Sequence, residues 1–450
     1  MNNVLDLVDH TIFSLERAAG TTSVIQCVWV YDRAVDIDGL RRFHRHLQQG
    51  RLSRRIERSP LPFARYRWVS ASHQPELEIV AAPRPREQFD AWLGEQTNTA
   101  LDAEHGPGWH LAVLPFTDGG AGVSLVVSHC LTDGGGLCEA LAEASSGHDT
   151  AIDWPAAGSR PRWQAMSEDA RQTLRDMPGI GRAAIAAAGF VRRNSAGAGP
   201  ATPPHTPAQG TGEPIALPTA TVFVDADQWD ARAQSLGGTS NTLLAGLAAR
   251  LAQRMGRIAP DGSVTLTMPI SQRTAGDTRA NAITNVDVTV DPAPATTDLC
   301  AIRAATKQAF TRSQKQPDAR WTLLPLVPLA PERLRRQWVN AATNSAASVG
   351  ASNLGLVNQA ISRPDGTEAA HFAIKSLSSG MTMAMMQQQG GLLSVVAGRT
   401  LGRVFVSVVA FQPDRVTSND GLRQHVSSAL SDFLLTDSTG WRPSTMRKTA

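Results

Sequence analysis

Cysteine is scarce in this chain, net charge is nearly absent, and long apolar runs are missing. Four cysteines in 450 residues (Cys27, Cys130, Cys138 and Cys300) are too few and too scattered for a disulfide framework, and suit a reducing cytosol. Cys130 and Cys138 lack metal-ligand spacing and no second Cys/His pair accompanies them, so no metal site is expected. A formal net charge of +3 gives no strong pull toward nucleic acid. The nearest thing to a basic cluster, RLSRRIER at 51–58, has the spacing of an exposed helix face. No run of about 20 apolar residues is available to span a membrane. Residues 1–20 carry acidic side chains and no apolar h-region, so no secretory signal is expected there. The cytoplasm is the expected compartment, with peripheral contact at the inner membrane left open. No internal repeat is evident.

What is present is ordinary globular material, 42% apolar and 18% charged, in a chain long enough for two domains of roughly 200 residues. Apolar spacing predicts a mixed α/β order. Helices are expected at 5–15, 36–49, 89–99, 137–144, 226–235, 241–255, 297–315 and 421–434. Strands are expected at 24–31, 60–69, 76–80, 110–115, 220–225, 264–270, 281–290, 391–396 and 403–411. Residues 165–191 have a helical pattern broken at Pro178-Gly179, with an Ala-rich second half and basic ends. Its face could lie on the protein or on lipid. Residues 194–213 (NSAGAGPATPPHTPAQGTGE) read as a flexible connector. The expected division is therefore 1–155, a crossover helix and linker at 156–218, a second domain at 219–435, and a disordered tail at 436–450.

The chain is organised around residues 124–136, SLVVSHCLTDGGG. Ser124 to Val127 form a buried-strand run that delivers Ser128 and His129 at its end, and the glycines beyond permit a sharp turn. Loops held by a rigid sheet carry much catalytic machinery, and imidazole can take a proton from a hydroxyl or thiol near neutral pH. Taken alone, a histidine after a strand is more often a satisfied structural residue than a base. Asp133 could orient it or pair with an arginine elsewhere. Cys130 follows His129 directly, and adjacent strand residues point to opposite faces, so it reads as core rather than nucleophile.

Taken in order, the motifs resemble the bacterial wax ester synthase/diacylglycerol acyltransferase family, within the superfamily of CoA-dependent acyltransferases and condensation domains. Val8-Asp9, Pro107-Gly108-Trp109 and residues 128–134 are similar to the family's first domain. Residues 241–250, Met268 to Arg273, Asn281, Ser352-Asn353 and 391–402 fall where its second domain has motifs. The family usually has two adjacent histidines, of which the first is here Ser128. Asn241-Thr242 stands where Asn-Asp is frequent, and the Asp-Phe-Gly-Trp-Gly signature of the plant relatives is absent.

The resemblance implies two chloramphenicol-acetyltransferase-like subdomains with mixed sheets and an active-site tunnel at their interface. His129 would be the general base and Asp133 its catalytic-motif partner. Gly134, Asn281, Asn353 and Ser128 would bind substrate, with Asn281 as an oxyanion donor. Arg273 would be structural support, pairing with Asp133. Met381, Met383, Met385 and Met386 could line an acyl channel or belong to the core. No cofactor is expected; acyl-CoA is the co-substrate and a long-chain alcohol or diacylglycerol the acceptor. A tailoring acyltransferase, fed by CoA or an acyl carrier protein and acting on a sugar or polyketide, is the second reading. A non-catalytic acyl-binding or partner-binding protein is the third, and Ser128 is the feature that supports it.

Overall fold

The computed structural model describes residues 3–71, 75–147, 151–196, 213–315, 319–343, 348–413, 415 and 418–441. Two large sheets carry the fold. The first has five strands in the order His371–Ser379, Thr22–Tyr31, Ala121–Ser128, Trp109–Pro115, Leu77–Ile79. Its pairings are antiparallel except the last, where Leu77–Ile79 runs parallel to its neighbour. Thr22–Tyr31 and Ala121–Ser128 are covered on both faces, which is why they read as apolar runs rather than alternating ones.

The second sheet has seven strands in the order Asp437–Thr439, Thr219–Asp225, Arg403–Phe411, Leu392–Thr400, Ser348–Leu356, Val264–Ser271, Ile283–Val290. Ser348–Leu356 lies parallel to both of its neighbours, so the sheet is mixed. The helix Ser240–Arg254 packs on it, opened by a reciprocal cap between Thr239 and Thr242. The architecture is thus mixed α/β with two sheet-rich subdomains.

The strand His371–Ser379 has no counterpart in the expected elements. It comes from the second half of the chain, yet pairs with Thr22–Tyr31 from Val30↔His371 to Thr22↔Ser379, so the sheets do not divide at the linker. Phe372 from this strand meets Trp29 at 5.3 Å and Phe405 of the second sheet at 6.1 Å between ring centroids, so the first sheet's apolar core takes in Phe223, Val396 and Phe405 of the second, which has a further core of its own.

Three further expectations are corrected. Residues 51–58 are not an exposed helix: Arg54–Glu57 is a strand paired with Arg67–Ser70, and Arg54 is buried. The helix Arg162–Ala196 passes through Pro178 without a break, since one proline removes one hydrogen bond and a packed helix can absorb that with a bend. At the C-terminus, Asp437–Thr439 pairs with Thr219–Asp225 and Trp441 is buried, so the segment after 435 is part of the fold as far as Trp441. Residues 442–450, and 197–212 of the expected linker, lie outside the described residues.

Candidate active site

His129 follows the last residue of Ala121–Ser128, and the chain turns at once. The His129 N–H donates to the Ser23 carbonyl at 2.8 Å and the Leu131 N–H to Ser128 at 2.9 Å. Asp133 then caps the helix Gly134–Ser146 by accepting from the Gly136 N–H at 2.6 Å. The ring of His129 is partly buried, and its Nδ1 is buried with no protein hydrogen-bond partner among the described residues.

Asp133 does not reach the imidazole through any of its bonds. One carboxylate oxygen takes Gly136 N–H and sits 3.0 Å from Arg273 Nη2; the other takes the Ala282 N–H at 2.7 Å. Both charged side chains are almost wholly buried, 2% and 4% exposed, which requires such pairing. Arg273 also donates from its two Nη groups to the carbonyls of Asp277, Arg279 and Ala280. Gly136 is required here, because a Cβ would stand 2.8 Å from Arg273 Nη2 and from Thr132 Oγ1. Asp133 is therefore a positioning residue that locks the turn to the second half of the chain.

A second buried carboxylate clamps the same segment from the other side. Asp9, on the first helix Leu7–Ala19, accepts from the N–H groups of Ala280 and Asn281 and from Asn281 Nδ2, at 3.1, 2.7 and 3.1 Å. Burial pushes its carboxyl up to about 6, against the opposing pull of Arg54. Arg54 lies 4.2 Å over the Trp68 ring and donates to the carbonyls of Leu131 and Thr278. The turn bearing His129 is thus held by Arg54, Asp9, Asp133 and Arg273 together.

Asn281 corrects an expectation. Its two amide hydrogens are committed to Asp9 Oδ1 and to the His129 carbonyl, each at 3.1 Å. What is left is its buried acceptor Oδ1, which cannot stabilise an oxyanion. As arranged, Asn281 positions the His129 backbone. Ser128 is buried and its Oγ accepts from the Cys130 N–H at 3.3 Å. Gly134 packs under Leu354, whose Cδ2 would lie 3.0 Å from an added Cβ. Asn353 is not brought to His129: it accepts from the Gly355 N–H and its Nδ2 stands 3.5 Å from Asn241 Oδ1. Met381 and Met386 are buried.

Glu16 is the residue that sequence reasoning missed. A cavity of about 260 Å³ lies against the turn, lined by Phe13, Glu16, Ser128, Cys130 and Ala103 among others. Glu16 accepts from the Cys130 thiol and the Ser23 N–H, both at 3.1 Å. Burial raises its carboxyl above the usual carboxylate range, and the charge of nearby His129 works in the opposite direction. Cys130 is pushed well above the ordinary thiol value by burial and by Glu16, so it is a neutral donor and not a thiolate nucleophile. The available signal was spacing: Asp9, Phe13 and Glu16 fall on one helix face. A second cavity of about 340 Å³ lies in the second sheet's half, lined by Asp230, Asn241, Asn353, Gly355 and Arg399 among others. Among the described residues, no group of three or more His, Cys, Asp or Glu side chains is placed to hold a metal ion.

No protein-family model matches the chain, and no curated protein sequence does. Solved structures do. The wax ester synthase/diacylglycerol acyltransferase from Marinobacter aquaeolei VT8 is 15% identical, with 96% of this chain and 98% of that one covered and a TM-score of 0.55. The first condensation domain of the calcium-dependent antibiotic synthetase, in complex with a substrate analogue, is 14% identical over 98% of both chains, with a TM-score of 0.56. Polyketide synthase associated protein 5 from Mycobacterium tuberculosis is 15% identical over 96% and 98%, at 0.51. At such identities the likeness is one of fold, and the chain has the two-subdomain fold that these proteins share.

Proposed function

We propose that the protein is an O-acyltransferase that moves an acyl group from acyl-CoA to a hydroxyl acceptor, with His129 as general base. The observation that carries this reading is the fixed presentation of His129. Its turn is clamped by the Asp133–Arg273 pair and by Asn281, while its ring Nδ1 has no protein hydrogen-bond partner among the described residues and the residues on either side of it, Ser128 and Cys130, line the cavity. Such rigid support around the imidazole suits proton transfer.

In the proposed reaction His129 takes the acceptor hydroxyl proton as that oxygen attacks the thioester carbonyl. The tetrahedral intermediate collapses with cleavage of the C–S bond, and the imidazolium returns the proton to the leaving thiolate. The products are an ester and free CoA thiol, and no acyl-enzyme forms. The cavity at Ser128 and Cys130 supplies an approach to the turn for one of the two substrates. The acceptor is a long-chain alcohol or diacylglycerol. No bound cofactor enters the scheme.

The test is release of CoA thiol from acyl-CoAs of several chain lengths with long-chain alcohols, diacylglycerol and glycosides as acceptors. Acceptor-dependent release that falls at least about a hundredfold in His129→Ala supports the reading. Release unchanged by that substitution removes His129 as the base. A preference for glycosides, or release only from acyl carrier protein thioesters, replaces the lipid acceptor with the tailoring reading. Acyl-CoA binding without turnover for any acceptor leaves a binding protein.

A further inference from the structure

The helix Arg162–Ala196 is amphipathic the wrong way round for a soluble protein. Its protein-facing side carries its carboxylates, interspersed with the buried Ala165 and Ala183. Asp169, 2% exposed, takes hydrogen bonds from Arg67 at 2.9 Å, Arg160 at 3.1 Å and Ser59 at 2.6 Å. Asp176 faces Arg65 at 3.5 Å, and Glu168 faces Arg160 at 3.2 Å. These are the helix's three carboxylates, and all are tied to arginines of the body.

Its solvent side is apolar. Trp163, Leu174 and Ile185 are 73%, 69% and 76% exposed, and Met166 and Met177 are exposed with them. At 3.6 residues per turn these five side chains fall within an arc of about 100° and run along about 33 Å of helix. Exposed Arg171, Arg175 and Arg182 follow one edge of the stripe, about 100° from its centre, and exposed Arg162 lies on the other. None of them is in an ion pair among the described residues. A soluble protein has no reason to turn carboxylates inward and tryptophan and leucine outward along one helix.

We propose that this face docks flat on an anionic lipid surface, with Trp163, Leu174, Met177 and Ile185 in the headgroup–acyl boundary and the arginines on lipid phosphates. An apolar stripe along a helix, edged by long basic side chains, matches a membrane boundary. Guanidinium groups on flexible stems can reach phosphates while their methylenes stay with the apolar layer. The inference rests on the helix alone and stands or falls apart from the acyl-transfer reading.

The test is co-sedimentation of the full chain with vesicles of phosphatidylcholine alone and of phosphatidylcholine with phosphatidylglycerol in equal parts. Binding is expected to the anionic vesicles and to weaken with salt. It should fall about tenfold in Leu174→Glu/Ile185→Glu and also in Arg171→Glu/Arg175→Glu, with circular dichroism and melting temperature unchanged because all four side chains point to solvent. Restoring length without charge, in Leu174→Met/Ile185→Met, should restore binding. Absence of vesicle binding, or binding untouched by both pairs, overturns the proposal. Binding of an acidic acyl carrier protein by this face, with no vesicle binding, overturns it in favour of a protein-docking helix.

Discussion

Around His129 the chain spends three buried or half-buried carboxylates, and their partners separate their roles. Asp133 offsets the charge of Arg273, so Asp133→Ala leaves an uncompensated buried guanidinium. That should lower unfolding stability by about 3–5 kcal/mol in chemical denaturation, while His129→Ala, at a partly exposed ring, changes it little. Asp9 behaves differently because burial raises its carboxyl to about 6 from 3.8. The folded state then holds the proton more tightly than the unfolded one between those values. This group's contribution therefore increases as pH falls from about 6 toward 3.8, by about 3 kcal/mol at most, and is smallest above pH 6. Asp9→Asn should remove that slope from a series of melting temperatures against pH; an unchanged slope would mean the carboxyl titrates normally. The pairing of Asp133 with Arg273 beside His129 was legible because the His-x-x-x-Asp-Gly turn and the strand-plus-arginine segment are local patterns. The double clamp on 280–282 was not, since Asp9 is 271 residues from the N–H of Ala280 and nothing local marks the pairing.

At the scale of elements, charge buried in strands explains most of what periodicity missed. The strand Arg54–Glu57 alternates buried and half-buried positions with Arg54 on the inside, so its pattern reads as a solvated helix face. Lys375 does the same to His371–Ser379: it is 2% exposed, and burial draws its ammonium below the usual lysine range. By contrast the helices Ala226–Ser235 and Ser240–Arg254 were legible almost to the residue, because each starts at a capping side chain, Asp225 or Thr239. Arg54→Ala strips donors from the Leu131 and Thr278 carbonyls and the cation from the faces of Trp68 and Trp154. A loss of about 3 kcal/mol is expected in urea unfolding; a loss under about 0.5 kcal/mol, typical of exposed positions, would contradict a buried strand there.

Over the whole molecule, the two sheets are fastened by exchange rather than by a simple interface. His371–Ser379 completes the first sheet, Phe372 joins the cores, and the buried Trp441 donates to Asp90 at 2.8 Å. The protein should therefore unfold in a single transition seen alike by near-ultraviolet and far-ultraviolet circular dichroism. Residues 1–155 expressed alone should aggregate through the uncovered edge of Thr22–Tyr31, and co-expression with the remainder should return them to the soluble fraction. Soluble, cooperatively melting 1–155 would show the sheet complete without His371–Ser379, and two separate transitions would show the halves independent.

The exchanged strand also sets a schedule for the ribosome. By the time Ala121–Ser128 has emerged, the first sheet has every strand but one, and that one lies more than two hundred residues downstream. At ordinary translation speeds the nascent chain carries an open, strongly apolar sheet edge for tens of seconds. During that interval the growing polypeptide is a natural client for holding chaperones, and its yield in a cell depends on them before any catalysis begins.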